Sequence, residues 1–552
     1  MSKIFNNVSD VVYNRSQQDL SHRVLSDMKV GDLVPLDWQE VLPGDTWQAK
    51  GTYLVRSSSA FIKPIIDNLT LEIAHFFVPY RILYNKANGV FGNDSPSAYV
   101  NNSLGQFPAI SSGIVKSGTV ADYLGLPTGL EFAPGGKVSV LPFRAFAKIY
   151  NEWFRNENVI DPVNVQIGET GSNEVLNNNA WSITNYTGKL PKARKRPDYF
   201  TSCLPSPQKG SAIDLPFTGF FPLDTTEGEL STLSGGEPRV DINASPRQSY
   251  LFGTTNTEAF PNTDTLFRAY PATLQTELFN PITATNLGVR MDNTSVGLTV
   301  NDVRTAFALQ KMLEKDARYG SRINEYYQGH WGVSNPDSRI QFTEYLDGAV
   351  VPLNMTQVAQ TSAGTEQSPQ ANLSAFSQTI GYSKFVKSFS EFGIVMTVGV
   401  IRQDHTYSQG VAKKWCRFSR EDFYDPLFAN IGEQPVYSNE LYLENWRFDG
   451  LKDTQIFGYN EAWAEYRFAP NEAHGYMRPD TDSLGEVWTL ADHFENRPTL
   501  SKSFIEENED NIKRVLVVQE DFFPQFMIDC YFNAKATRVL PVRSVPGLID
   551  HH

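Results

Sequence analysis

Apolar and polar residues alternate through Asn68–Val78, with Leu69, Leu71, Ile73, His75 and Phe77 on one face and Asn68, Thr70 and Glu72 on the other. A period of two marks a half-buried strand. Gln525–Asn533 repeats the pattern, placing Phe526, Ile528, Cys530 and Phe532 together. Phe392–Ile401 is β-branched and almost wholly apolar, which predicts a strand covered on both faces. Ile512–Gln519 reads as a further strand. On its apolar face, His75 is expected to be a core histidine with satisfied ring nitrogens rather than a ligand.

Two stretches switch to the helical period. Pro142–Asn156 opens with proline in the first turn and aligns Phe143, Phe146, Ala147, Tyr150, Trp153 and Phe154 in one stripe, which predicts core packing. Asp302–Tyr319 has Asn301 or Asp302 as cap and Gly320 just past its end. Val303, Phe307, Leu309, Met312 and Leu313 are its expected apolar contacts, and Glu314 and Arg318 its expected i,i+4 pair.

The rest is punctuated by turns. Val30–Ile66 breaks into short apolar stretches, and residues 85–140 and 354–380 are loop-like. Residues 1–30 form a polar arm carrying Arg15, His22, Arg23 and Lys29, which by composition reads as a frayed terminus. Residues 222–300, rich in Thr, Asn, Gly, Ser and Pro, read as a surface insertion. The remainder, 31–552, is expected to be one domain with large insertions.

Composition sharpens this picture. Aromatic residues reach 12% and include 36 Phe and 24 Tyr, and 32 Pro and 38 Gly accompany them. That mixture favours many short strands joined by turns. The net charge of −14 argues against a protein that coats nucleic acid with its whole surface. Cys203, Cys416 and Cys530 are widely spaced and odd in number, which suits a reducing compartment and no zinc knuckle. No apolar segment is long enough to span a bilayer, and MSKIFNNVSD lacks a signal core, so a soluble chain made in a cytoplasm is expected.

Few stretches carry candidate chemistry. Lys189–Arg196 reads KLPKARKR, with Lys189, Lys192, Arg194, Lys195 and Arg196 as candidate contacts to DNA phosphates. The same run also suits a solvated loop or a contact to acidic neighbours such as Glu506–Asp510. Lys535, Arg538 and Arg543 are lesser basic candidates. Phe457–Asp480 concentrates rings, carboxylates and guanidinium groups. Asn460 is a possible cap for a short turn running to about Tyr466. Tyr459, Trp463, Tyr466, Arg467 and Arg478 are the candidate intersubunit contacts, because Tyr, Trp and Arg concentrate where protein surfaces meet. A core corner is the plainer alternative. Phosphate loops, HExxH, nucleophile elbows and CxxC are all absent. Asp480, Asp482 and Gly485 imitate an EF-hand start, but Leu484 and Ala491 stand where ligands are required. No catalytic residue, metal ligand or cofactor is expected.

Four passages are idiosyncratic: RPDYFTSCLPSPQKG at Arg196–Gly210, LQKMLEKDARYGSRINEYY at Leu309–Tyr327, FGYNEAWAEYR with GYMRPD in Phe457–Asp480, and SVPGLIDHH at Ser544–His552. Together they resemble the major capsid proteins of the Microviridae, the small tailless single-stranded DNA phages, most closely those of gokushovirus type. The resemblance implies an eight-stranded antiparallel jelly-roll β-sandwich with long loop insertions and a few helices. It implies pentamers that close into a T=1 icosahedral virion, an arm of residues 1–30 that ties neighbours along the shell's inner surface, and a projection from residues 222–300 at the threefold axes used in host attachment. It also implies several partners: an internal scaffolding protein, a small basic DNA-packaging protein, a pilot protein, the single-stranded DNA genome and a host-cell receptor. Assembly in the host cytoplasm follows. The other reading is a carbohydrate-binding or carbohydrate-active β-sandwich, suited by aromatic residues and Asn/Asp-rich loops but opposed by the missing carboxylate pair.

Overall fold

In the computed structural model, the described residues are 14–91, 105–168, 174–211, 213, 239–242, 248–251, 282–284, 300–320, 322–333, 341–365, 369–444, 448, 450, 455–479, 485–519 and 523–542. Much of the insertion at 222–300, the arm before residue 14, Asp480, Asp482, Arg543 and the passage Ser544–His552 lie outside them.

Two antiparallel sheets dominate a mainly β chain. The first runs from β1 (Ser16–Asp19) and β2 (His22–Met28), which share one edge of β10 (Phe526–Arg538), through β4 (Thr46–Ser57) and β8 (Leu373–Ser388) to β7 (Met355–Ala359). The second has the order β6 (Glu344–Pro352), β5 (Leu69–Pro79), β9 (Gly393–Gln403) and β3 (Val34–Val41). Much of the expected N-terminal arm is thus an edge strand whose backbone is paired.

Inward faces of both sheets meet in a shared core that includes Met28, Leu36, Tyr53, Val55, Leu71, Ile73, Ile401, Phe526, Ile528 and Cys530. His75 bridges the sheets: Nδ1 lies 2.8 Å from Thr397 Oγ1 of β9 and Nε2 2.7 Å from Ser383 Oγ of β8, which also meets Tyr53 Oη at 2.8 Å. It is the satisfied core histidine the pattern predicts. The far half of β5 departs from the expected half-burial, because Phe76 and Val78 are buried on its opposite face.

That opposite face is covered by α1 (Leu141–Ile149), which ends in a wider π turn at Tyr150–Phe154. Phe143, Phe146, Ala147 and Tyr150 pack against Phe76, Val78, Met396, Val398 and Val400. Strand β9 is therefore buried at every position, as its continuous apolar run predicts. Trp153 is the exception on the expected stripe: it remains partly exposed, its ring tilted against those of Phe76 and Tyr345.

Three expectations are corrected. Ile512–Gln519 is not a strand: α4 (Asp510–Val515) buries Ile512, Val515 and the following Leu516 at spacings of three and four. Arg514 ties it down by donating to the carbonyls of Glu486, Thr489 and Ala491. Residues 354–380 are not a simple loop, since β7 and the start of β8 pair there. Asn460 does not cap a helix: it lies in the strand Ile456–Glu461, and Trp463, at φ 62°, turns the chain into a short 3-10 segment.

The helix α2 (Val300–Tyr319) matches the second predicted helix and is followed by α3 (Ile323–Trp331). Phe307, Leu309 and Met312 are exposed rather than packed. Arg318 reaches Glu433. The chain divides into two compact units, one of Met1–Lys209 with Leu313–His552 and the other of Gly210–Met312. Within the second, Ile282–Ala284, Arg239–Ile242 and Gln248–Leu251 form a small antiparallel sheet. Among the described residues, no helix is long and apolar enough to cross a membrane.

Candidate subunit-contact and nucleic-acid surfaces

The basic run is an extended tie. Its backbone bonds to Gly31 and Leu33 on one side and to Ile505 and Glu507 on the other. Gly31 permits this approach: at φ +84°, a Cβ there would come within 2.6 Å of Glu507 Cβ. Four of the five cations turn toward protein. Lys192 Nζ lies 2.8 Å from Asp32 Oδ1 and 3.1 Å from Glu509 Oε1. Arg196 pairs with Glu72 at 2.6 Å and Asp404 at 2.9 Å. The Lys195 ammonium is buried over the Phe504 ring at 4.7 Å. Burial, with Arg402 and Arg322 nearby, lowers the Arg194 pKa. Lys189 alone of the five has an exposed side chain.

The acidic neighbours anticipated at Glu506–Asp510 are thus met within the same chain. Desolvation of these ions is offset by close, multiple contacts, so the run acts as an internal clamp between β3, β5 and the segment preceding α4.

The Phe457–Asp480 stretch divides by depth. Phe457 joins a core with Phe200, Tyr407, Val436 and Phe504. Trp463 is buried, its indole N–H donating to the Phe428 carbonyl at 2.9 Å. Tyr459 is half-buried and exchanges backbone hydrogen bonds with Leu204. Tyr466 is exposed beneath the Arg417 guanidinium, 4.2 Å from its ring centroid. Arg467 is exposed and paired with Glu461, and Arg478 lines a neighbouring cleft. Of the five proposed contacts, Trp463 is thus a core residue, Tyr459 is half-buried and Tyr466 is exposed, all within one short segment.

Sequence reasoning missed the larger part of this surface. Trp415, Phe418 and Leu427 are 72%, 86% and 87% exposed, and Phe423, Tyr424 and Phe428 join them. Tyr424 contacts both Trp463 and Tyr466. The signal was present in WCRFSREDFYDPLF, where apolar side chains recur in a loop too polar to form a strand. Exposed apolar side chains grouped in this way make the loop a candidate interaction surface.

Beside it lies a cleft of about 290 Å³, lined by Tyr199, Lys413, Trp415, Glu440, Phe468 and Arg478 among others. Its inner polar groups bond one another: Tyr199 donates to Glu440 at 3.0 Å, and Lys413 lies 3.7 Å from the same carboxylate. Burial raises the Glu440 pKa. No group of three His, Cys, Asp or Glu able to hold a metal occurs among the described residues.

The family model of the capsid protein (F protein) matches residues 6–548. The chain belongs to that capsid-protein family. The capsid protein VP1 of Spiroplasma virus 4 is 34% identical, over 97% of this chain and 95% of the relative. That of Chlamydia phage 1 is 34% identical over 99% and 98%, and that of Bdellovibrio phage phiMH2K 32% identical over 98% and 97%. The Microviridae likeness carried by four short passages thus extends across the capsid protein, including both sheets and the exposed aromatic patch.

Proposed function

We propose that this chain is the major capsid protein of a small tailless single-stranded DNA phage, closing with copies of itself into a T=1 icosahedral shell. Its role on this reading is structural rather than enzymatic, and its final location is the virion. The carrying observation is the order of the paired strands. Taking β1 and β2 as one edge, β10, β4 and β8 complete one sheet, while β3, β9, β5 and β6 make the other. With β7 as an extra strand beyond β8, the chain alternates between the sheets except where β5 and β6 follow one another in the second, and this order supports the eight-stranded jelly roll of capsid subunits.

The exposed patch around Trp415 and Phe418, with Tyr466 and Arg467 from the Phe457–Asp480 stretch, is the contact to a second copy. On the same reading the insertion at 222–300, most of which lies outside the described residues, contributes to host attachment. Scaffolding, pilot and small basic packaging proteins complete the partner set, the last offsetting the acidic charge of the shell protein.

Sedimentation of the purified protein, with negative-stain imaging of the fastest fraction, tests the reading. Uniform small round particles, or pentamers that close when scaffold is added, are expected. A chain that stays monomeric with scaffold present overturns it.

A further inference from the structure

The outward face of the first sheet differs in charge from the rest of the molecule. Along β8 the inward positions from Ala375 to Ser383 are small, with Phe385 the large one that follows, while Phe376, Ile380, Tyr382, Lys384 and Val386 point outward and are exposed. Lys50 and Arg56 on β4, Tyr531 and Lys535 on β10, and Arg23 on β2 share that face. Five cations thus gather on one flat surface of a chain whose net charge is −14.

The acids on this face offset part of that charge, while Lys50 has Lys384 and Asn533 as its cross-strand neighbours. Asp529 is held by Arg23 and also feels Arg56, and Asp19 lies opposite Lys535. Asp27 accepts a hydrogen bond from Tyr123 at 3.0 Å. Lys384 stands directly across the ladder from Lys50, whose ammonium lies 5.4 Å from the Tyr382 ring centroid. Like charges directly opposed weaken a strand pair. One row further, Tyr382, Thr52 and Tyr531 are aligned, which sets the two rings about 10 Å apart, two strand spacings.

We infer that this sheet face is a binding surface for single-stranded nucleic acid, an inference that rests on the capsid reading. Lys50, Lys384 and Arg56 neutralise phosphates, while Tyr382, Tyr531 and Phe376 offer ring faces to unpaired bases. Cations interleaved with exposed rings suit a single strand, whose bases are free to stack, and give little sequence preference. The Lys189–Arg196 run, spent largely on internal carboxylates, is then not the principal contact.

The test is fluorescence anisotropy of a labelled oligothymidylate against the purified full-length protein over a range of salt concentrations. K50Q/K384Q should weaken binding at least tenfold and reduce the salt slope by about 1.4, two single-strand phosphate contacts. K50R/K384R should retain binding, and Y382A/Y531A should weaken it about fivefold or more with the slope unchanged. K189Q serves as the control and should bind normally. Binding unaffected by the sheet variants, or lost equally in K189Q, overturns the inference. So does normal DNA binding by K50Q/K384Q combined with failed particle assembly, which would assign the face to an acidic surface of a second copy. Wild-type protein that binds oligothymidylate yet never assembles would instead overturn the capsid reading.

Discussion

His405 Nδ1 lies 2.7 Å from Asp492 Oδ2, and Glu507 Oε2 lies 3.2 Å from the opposite ring nitrogen, all three side chains being buried. Burial and Lys195 oppose charge on the imidazole, but Asp492 and Glu507 outweigh them and hold its pKa up at about 9. Burial likewise disfavours the Asp492 carboxylate, which His405, Lys195 and a hydrogen bond from Asn511 bring down to about 2. The raised histidine gives stability that is complete below its ordinary value of 6.5 and lost as pH rises through about 9. The depressed carboxylate gives stability present above 3.8 and lost as pH falls toward about 2. His405→Gln is therefore expected to destabilise the protein most at about pH 5 and progressively less toward about pH 9. Guanidinium melts at several pH values measure this. A destabilisation that does not change with pH would contradict it.

His75 works in the opposite direction. Burial lowers its pKa to about 4, against the pull of Asp347 and Asp37. The folded chain refuses a proton that the unfolded chain accepts near 6.5, so its contribution to stability falls as pH drops from there to about 4. His75→Leu should cost about 1–3 kcal/mol at neutral pH by orphaning the Thr397 hydroxyl and leaving Ser383 with Tyr53 alone. It should also make the acid limb shallower, which the same melts reveal.

Much of the sandwich was legible because β5 and β10 carry a period of two and β9 a continuous apolar run. Strand β8 was not, because its inward positions from Ala375 to Ser383 are Ala, Ser, Thr and Gly while Ile380, Tyr382 and Val386 face out. A pattern rule that places apolar residues inside reads such a strand backwards or as loop. Ile512–Gln519 failed for the converse reason: a short apolar run satisfies either period, and Arg514's bonds to three carbonyls decide for helix. The charge of Lys189–Arg196 was plain in the sequence. Its partners were not, since Asp32, Glu72, Asp404 and Glu509 come from four distant segments.

Arg144 and Glu174 form a fully buried ion pair behind the second sheet. Arg144 Nε donates to Glu174 Oε1 at 2.7 Å, Tyr186 donates to the same oxygen at 3.0 Å, and Arg144 Nη1 donates to the Leu83 carbonyl at 2.9 Å. Removing one partner strands the other charge, so Glu174→Leu should cost about 3–5 kcal/mol. The double change with Arg144→Met should cost much less than the sum of the two singles. Denaturation midpoints at constant slope supply the cycle, and strict additivity would show that the pair is not coupled.

The exposed rings and the buried indole predict opposite phenotypes within one patch. Trp415 and Phe418 contribute little to the core of the single chain, so Trp415→Ala and Phe418→Ala should change its stability by less than about 0.5 kcal/mol. As anchors of a subunit contact, each should raise the protein concentration needed for particle formation about fivefold or more. Trp463 is the reverse case. It is buried and bonded to the Phe428 carbonyl, so Trp463→Ala should cost about 3–5 kcal/mol of folding stability and lose assembly as a consequence. Pairing a melt with a particle-yield curve for each variant separates the two effects. Normal assembly by the Trp415 and Phe418 variants would move the contact elsewhere on the surface.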